Sequence, residues 1–271
     1  MPYLLMSPFV PLIFSPACAD SARWDLFSLY HLQHGSPLMF VNVKYFAVLR
    51  ELTGLSEERF SLADGVTVSV LLEAILEKHP ALSGRLEQVS VAVNHQYASK
   101  ETTLSEGAEV ALLPPVAGGH DGSQATHDTW TSEDGRLALT HKVVVPADVV
   151  ALVEGAFAGA VVTFTGIVRR KSQGREVVRL EYEAYPEMVL KELARIVEEM
   201  DEMWPQAKVS IHHRIGHLSI GEVAVVIAVC TPHRKEAFAA CSHAIEVLKE
   251  RVPIWKKEIF TDGTTWVGWG P

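Results

Sequence analysis

Residues 112–119 read Leu-Leu-Pro-Pro-Val-Ala-Gly-Gly, and this stretch decides how the chain on either side of it is interpreted. Pro114 and Pro115 hold it extended and keep it out of any sheet. From Pro114 to Gly119 it can reach about 20 Å, at about 3.3–3.6 Å per residue, which is enough to enter a narrow channel. Because glycine has no Cβ, its backbone can approach a reactive centre closely. The alternative is a linker, since Pro-Pro followed by Gly-Gly also ends domains.

The bulk composition is that of an ordinary globular protein. The chain has 271 residues, enough for two modest domains, with 48% hydrophobic and 21% charged residues. A formal net charge of −9 argues against general nucleic-acid binding, which needs a basic surface. Cys18, Cys230 and Cys241 form no close pair, so neither disulfides nor a zinc site is indicated. We therefore expect a cytoplasmic protein.

The first 38 residues are apolar but interrupted by prolines. They are too broken to span a membrane, and no membrane partner is expected. They lack the basic start of a good signal peptide. Residues 1–38 are predicted to be a non-native or disordered extension, with Met39 as the true start.

Residues 39–119 carry the pattern of a small α+β domain. Alternating apolar residues predict strands at 41–47 and 58–62, and Thr67 is a candidate N-cap for a helix. Two further strands are predicted at 89–93 and 108–113. The order strand, strand, helix, strand, strand is that of the ubiquitin-like β-grasp.

This first domain resembles the MoaD family, the small subunit of molybdopterin synthase. The resemblance lies in Lys44-Tyr45-Phe46-Ala47, Leu49-Arg50-Glu51, Ala92-Val93-Asn94 and the ending at Gly118-Gly119. It implies that the carboxylate of the terminal glycine is adenylated and converted to a thiocarboxylate that donates sulfur. An ATP-dependent adenylyltransferase similar to MoeB and a separate sulfur donor are then the expected partners.

Residues 120–136 are rich in Gly, Ser, Thr, Asp and His without apolar periodicity, which predicts a flexible linker. Its histidines, His120 and His127, are expected to be solvent-exposed, and no metal site is predicted there.

Residues 137–271 predict a second α+β domain. Strands are expected at 143–145 and 161–168, the latter forming a hairpin with 179–185. A helix is expected at 187–203, two strands at 209–213 and 222–230, and a hairpin around Asp262-Gly263. The helix after His233 should bury Phe238, Cys241, Ile245 and Leu248.

The second domain resembles the MoaE family, the large catalytic subunit of the same synthase, which implies an α/β hammerhead-type fold. The matching segments include Phe164-Thr165-Gly166-Ile167-Val168-Arg169, His233-Arg234, Leu248-Lys249 and Pro253-Ile254-Trp255-Lys256-Lys257-Glu258. The chain thus reads as a carrier joined to its own catalytic partner.

The basic residues of this domain can be interpreted from their positions in the predicted helices and strands, without the family resemblance. His233 and Arg234 at the start of a helix favour an anion. Lys249 lies near the C-terminal end of a helix, where a cation stabilises the helix dipole in a protein of any function. Lys256 is equally compatible with the solvent-exposed face of a strand. On the residues alone, both interpretations stay open.

The resemblance implies a substrate, cyclic pyranopterin monophosphate, and a role for each residue. Arg169, His233 and Arg234 match positions that bind the phosphate and the pterin. Phe164 either walls the pocket or packs in the core. Lys249 and Lys256 match catalytic lysines, with Lys249 either bonding to the substrate or polarising it. No cofactor is required, and the expected assembly is a homodimer of catalytic domains with carrier domains at its ends.

The sequence departs from the family at one decisive point. His120 follows Gly119, so the carbonyl of Gly119 is a peptide and not a free carboxylate. We therefore expect proteolytic cleavage after Gly119. Two alternatives remain: a sulfur-carrier or ubiquitin-like protein with a non-catalytic docking domain, and an uncut, inactive scaffold.

Overall fold

The computed structural model of the protein describes residues 38–115 and 128–267. Most of the predicted N-terminal extension, the glycine pair with Gly119, and the linker histidines His120 and His127 lie outside the described residues. The described residues form two α+β units that pack against each other.

The first unit is a five-stranded sheet with one long helix across it. Its elements are β1 (Leu38–Tyr45), α1 (Ala47–Thr53), β2 (Glu57–Ala63), α2 (Val68–Lys78), β3 (Ser90–Val93), β4 (Gln96–Ala98) and β5 (Glu109–Leu113). The strand order is β2-β1-β5-β3-β4, in which β1 and β5 are parallel and the other neighbours antiparallel. This arrangement confirms the predicted β-grasp.

Alternation along β1 builds the core of the first unit. Val41, Val43 and Tyr45 are buried and belong to one cluster with Leu71 and Ile75 of α2. Each buried aliphatic side chain contributes about 1.5–3 kcal/mol. The sequence analysis missed the short helix α1, which ends where Gly54 adopts a left-handed conformation with φ of 72°.

The second unit contains two sheets and three helices. Its elements are β6 (Thr129–Thr131), β7 (Leu137–Thr140), α3 (Pro146–Ala151), β8 (Ala160–Ile167), β9 (Lys171–Ser172), β10 (Arg175–Ala184), α4 (Pro186–Met203), β11 (Lys208–Arg214), β12 (Gly216–Ser219), β13 (Val223–Thr231), α5 (Arg234–Arg251), β14 (Ile254–Phe260) and β15 (Thr265–Val267). One sheet has the order β6-β7-β11-β13-β8, and the other β12-β10-β14-β15 with β9 beside β10. Helices α4 and α5 share a core with the first of these sheets. Among the described helices, none is both long and apolar enough to cross a bilayer.

Two predictions about strands were wrong. Strand β8 does not form a hairpin with β10, because β8 pairs with β13 while β10 pairs with β12 and β14 of the other sheet. The valine run 143–145 is not a strand, and the position beside β11 is taken by β7, with β6 at the sheet edge. In both cases the local pattern was compatible with a strand, and the partner was decided by residues distant in sequence.

The linker and one helix face also differ from expectation. The predicted linker 120–136 is wrong at its end, because Thr129–Thr131 forms β6 and pairs with β7. Phe238 was predicted to be buried on α5 but is 63% exposed, whereas Cys241 and Leu248 are buried.

A separate apolar cluster joins the two units. The first unit contributes Ala47, Ala92, Ala111 and Leu113, with Phe46 packed against them, and the second contributes Tyr185, Met188 and Trp255. Because this cluster contains buried residues of both units, the first unit is docked on the second; below they are called the carrier half and the catalytic half, after the families they resemble.

Candidate functional site

A cavity of about 380 Å³ lies between the C-terminal part of α5 and strands of both sheets of the catalytic half. Phe164 of β8 and Leu248 of α5 are among its apolar lining residues. Its charged lining residues are Arg169, Lys171, Lys249, Lys256 and Glu258. Four cations against one carboxylate make this a site for an anion with an apolar or aromatic part.

Each basic residue is placed by the end of an element or by strand alternation. Arg169 follows the end of β8, and Lys249 lies in the last turn of α5. On β14, Ile254, Lys256 and Glu258 alternate with Trp255 and Lys257, so the first three share the face that lines the cavity.

The cavity also changes the acidity of Lys249. Partial burial lowers the pKa of Lys249, and the neighbouring charges of Lys256 and Arg169 lower it further. Removal from water and like charges both disfavour the ammonium form. A larger fraction of Lys249 is therefore neutral near physiological pH than for a solvated lysine.

Lys256 and Glu258 form an ion pair at the cavity wall. Lys256 Nζ lies 3.1 Å from Glu258 Oε1, and the Glu258 side chain is only 3% exposed. The sequence analysis quoted Glu258 as part of a matching segment but assigned it no role. The sequence did contain a signal for its position: Glu258 lies two residues after Lys256 on the same strand, so the two side chains share one face.

His213 and Tyr182 also line the cavity, and their rings meet edge to face with centroids 5.1 Å apart. Burial lowers the pKa of His213 to about 4, so this imidazole is neutral at pH 7. Burial and the charge of Glu258 raise the pKa of Tyr182 to about 12, so its phenol is also neutral. Neither was proposed as a site residue, because burial could not be read from the sequence.

The structure brings together four of the predicted site residues and leaves two apart. Phe164, Arg169, Lys249 and Lys256 line the same cavity. His233 is the N-cap of α5 and Arg234 its first residue, so both lie at the opposite end of the helix from Lys249. The separation along the axis is about 22 Å at about 1.5 Å per residue, and neither residue lines the cavity within this chain.

The other face of β14 receives the carrier half. Trp255 Nε1 donates a hydrogen bond to Pro114 O at 3.0 Å, and its ring stacks on Phe46 with centroids 5.0 Å apart. Lys257 Nζ donates to Glu51 at 2.8 Å. The carrier's Pro-Pro segment therefore leaves β5 against the strand whose opposite face presents Lys256 to the cavity.

Polar contacts also fix the orientation of the docked halves. Glu183 pairs with Arg50 at 2.9 Å and accepts the backbone N–H of Ala47 at 3.2 Å. Ala47 has a φ of 52°, a left-handed conformation that is unfavourable for alanine. The Tyr185 hydroxyl donates to Glu109 of the carrier half. Because the side chains of Arg50 and Glu183 are only 15% and 12% exposed, loss of either partner would leave a mostly buried, uncompensated charge.

Comparisons with known proteins match the two halves separately. The MoaE protein family matches residues 139–251, and the ThiS family matches residues 43–119. The molybdopterin synthase catalytic subunit of Halalkalibacterium halodurans is 50% identical over 133 residues, which is 49% of this chain and 85% of that protein. A crystal structure of molybdopterin synthase from Staphylococcus aureus shares 47% identity, covering 48% of this chain and 95% of its own, with a TM-score of 0.46. The crystal structure of SAMP1 from Haloferax volcanii shares 32% identity over 30% of this chain and 99% of its own, with a TM-score of 0.28.

These matches fall on the same two units that the fold separates. The catalytic-subunit match covers most of its relative's length at high identity. The carrier match ends at Gly119, the second glycine of the pair. The chain therefore belongs to the molybdopterin synthase family, which acts in molybdenum cofactor biosynthesis, as a fusion of a MoaD-like carrier with a MoaE catalytic domain.

Proposed function

We propose that this protein transfers sulfur from a thiocarboxylate on Gly119 to cyclic pyranopterin monophosphate, forming the dithiolene of molybdopterin. The observation that carries the proposal is the hydrogen bond from Trp255 to Pro114, since it holds the carrier tail against the strand that lines the cationic cavity. From Pro114 a further five residues can extend about 17 Å, at about 3.3–3.6 Å each.

In this reaction the cations of the cavity receive the anionic substrate and the negative charge of the donor. Arg169, Lys249 and Lys256 would hold the phosphate and the thiocarboxylate close together, with Phe164 beside the pterin. Each transfer forms a carbon–sulfur bond as an oxygen substituent of the substrate leaves. Water then splits the bond between sulfur and the Gly119 acyl carbon and returns a carboxylate. Two carriers must visit for each product, and no oxidant is needed.

Lys249 has two possible roles in these steps. Its lowered pKa suits a nucleophile that bonds to the substrate, and equally a proton donor to the leaving oxygen. Both roles require the amine inside the cavity, and a docking module would have no use for it. The cluster of cations therefore favours an enzyme over a carrier with a non-catalytic second domain.

The thiocarboxylate requires a free carboxylate on Gly119, and His120 follows it in the sequence. We infer that a protease cuts between them, after which an ATP-dependent adenylyltransferase resembling MoeB and a sulfur donor can load the carrier in the cytoplasm. Intact-mass spectrometry of active protein from its own host tests this. We expect a fragment ending at Gly119, partly shifted by the mass of one sulfur replacing one oxygen. Active material that contains only the uncut chain would refute cleavage.

We also infer that two copies associate through their catalytic domains, with the carrier domains at the outer ends. The edge strand β8 has no partner on its outer side among the described strands, and Ile167 on it is 53% exposed. Phe238 of α5 is 63% exposed. In such a pair, His233 and Arg234 of one copy would complete the cavity of the other, which gives these residues a function despite their distance from Lys249.

A further inference from the structure

The C-terminal end of α5, which carries Lys249, is incompletely bonded by its own chain. In a helix interior each carbonyl accepts the N–H four positions later, and for Lys249 that position is Pro253, which has no N–H. The helix closes with a bond from the N–H of Val252 to the oxygen of Leu248, at 3.1 Å. The turn that carries Lys249 is therefore sensitive to contacts from outside the helix.

Both halves of the protein contact this helix end. From the catalytic half, α4 fixes the side chain of Arg251, whose guanidinium donates to Glu192 at 2.7 Å and to Glu199 at 2.5 Å. From the carrier half, the hydroxyl of Tyr97 on β4 donates to the backbone oxygen of Arg251 at 3.2 Å. The last four carbonyls of a helix have no partner within it. Tyr97 therefore acts as a C-terminal cap that the carrier half supplies.

The phenol of Tyr97 is suited to donate this bond. Burial raises the pKa of Tyr97 and the charge of Glu192 raises it further, against smaller opposing effects of Arg251 and Arg195. The hydroxyl therefore keeps its proton at pH 7. The Tyr97 side chain is 45% exposed and lies outside the apolar cluster around Trp255, so it belongs to the rim of the interface. Rim contacts add little affinity, which points to a role for this bond besides docking.

The cap is close to the reactive amine along the helix. Lys249 precedes Arg251 by two residues, which is about 3 Å along the axis at 1.5 Å per residue. An ordered last turn keeps Lys249 where burial and the charges of Lys256 and Arg169 act on it. Helix ends fray when their terminal groups lose their partners. Loss of the cap would therefore let the amine move out toward water.

We propose that Tyr97 is a positioning residue of the carrier half, which caps the last turn of α5 and so holds the amine of Lys249 in the cavity while the carrier is docked. The inference rests on the proposed function, in which Lys249 reacts, and adds that the docked donor completes the reactive arrangement. A cavity whose carrier has left then holds Lys249 less firmly. The amine is in place for reaction only while a sulfur donor is present.

The test compares the full chain with its Tyr97→Phe variant, which keeps the ring and removes the hydroxyl. Tyr185→Phe is the matched control, because it makes the same change at the same interface, where the Tyr185 hydroxyl donates to Glu109 on β5 and not to α5. Hydrogen–deuterium exchange follows the amides of residues 249–252, and acylation over a range of pH follows Lys249.

We expect Y97F to exchange these amides about two- to tenfold faster, the range for loss of one hydrogen bond. The pH of half-maximal acylation should increase, because a less buried amine farther from Lys256 and Arg169 favours its ammonium form. Y185F should change neither measurement.

The outcomes separate this inference from the proposed function. Exchange and pH profiles of Y97F that match those of the unaltered protein would reject the cap and leave Tyr97 as a docking contact only. Equal changes in Y97F and Y185F would also reject it, since docking in general would then order the end of α5. Neither measurement needs substrate, so an unaltered protein that transfers no sulfur would reject the proposed function and leave the cap standing.

Turnover gives an independent measurement of the same role. With the carrier loaded, Y97F should lower the maximal rate about two- to tenfold and leave the KM for cyclic pyranopterin monophosphate unchanged, because Arg169 and Lys256 still line the cavity. A raised KM with a normal maximal rate would overturn the proposal, since Tyr97 would then affect binding of the substrate and not the placement of Lys249.

Discussion

Lys249 shows how one residue acquires its chemistry from its neighbours. Two like charges and partial burial lower its pKa, and one of those charges, on Lys256, is itself paired with Glu258. The pair weakens the field of Lys256 at Lys249 without removing it. The cavity therefore maintains a positive field for the anion and still favours a partly neutral amine.

Replacing Lys256 by Met should raise the pKa of Lys249. The change removes a like charge and frees the carboxylate of Glu258, and both effects favour the ammonium form. The fraction of neutral Lys249 at a given pH then falls. The pH at which Lys249 reaches half of its maximal acylation rate therefore increases. The measurement is the pH dependence of acylation of Lys249 by an amine-reactive reagent, followed by peptide mass spectrometry.

Lys100→Met serves as the control, since Lys100 is an exposed lysine of the carrier half and should leave the profile unaltered. An identical pH profile for Lys249 in the K256M protein would show that Lys256 does not set its acidity.

The sequence predicted which basic residues line the cavity, but it did not predict the environment of the residues around them. Arg169, Lys249 and Lys256 were predicted from matching segments, and the structure brings them to one cavity. Glu258 received no role from the sequence, because its burial beside Lys256 exists only once β10, β14 and α5 have come together. His213 was missed for the same reason, since its neutrality follows from burial.

At the scale of elements, β14 is the part on which both functions depend. One face lines the cavity through Lys256, and the other binds the carrier through Trp255 and Lys257. Because side chains alternate along a strand, a single element connects docking of the donor to the site of transfer. The sequence predicted this strand and its hairpin, whereas it gave the wrong partner for β8, because strand pairing depends on distant segments.

Phe46→Ala should weaken docking of the carrier without unfolding it. Phe46 stacks on Trp255 and packs on Tyr185 across the interface, outside the carrier's own core. With a protease site placed in the linker and cut, we expect the affinity between the halves to fall by about 2–4 kcal/mol, as for a central aromatic contact. Calorimetry or analytical gel filtration of the cut protein measures the change.

Phe40→Ala is the matched control. Phe40 also lies on the carrier half, is 38% exposed and contacts Arg59 within that half, so its removal should leave docking within about 0.5 kcal/mol. Equal affinities for F46A and the unaltered protein would mean that the halves dock in another orientation in solution.

The whole molecule combines an acidic surface with a basic cavity. The net charge is −9, while four cations line the cavity beside one carboxylate. A surface of this sign repels anions in general, so the affinity for an anionic substrate has to come from the cavity. The chain supplies carrier, tail and most of the cavity, but it places His233 and Arg234 at the far end of α5. A second copy is the simplest way to bring them to the substrate.

Complementation between inactive variants tests this arrangement. A chain with His233→Ala and Arg234→Ala should be inactive, and so should a chain with Lys249→Ala. When the two are co-expressed with different tags and the mixed dimer is purified, one of its two cavities contains only intact residues. Random pairing before that purification should restore roughly a quarter of the normal number of active sites, and the purified mixed dimer roughly half.

The same experiment distinguishes shared from separate sites. If His233 and Arg234 served the cavity of their own chain, every cavity in the mixed dimer would carry at least one defect, and activity would stay at the level of the variants alone. Co-expression of the double variant with a Lys100→Met chain controls for dilution, since every dimer containing that chain should retain activity in at least one cavity. Activity in the mixture containing Lys249→Ala is therefore expected only if the cavity is built by two chains.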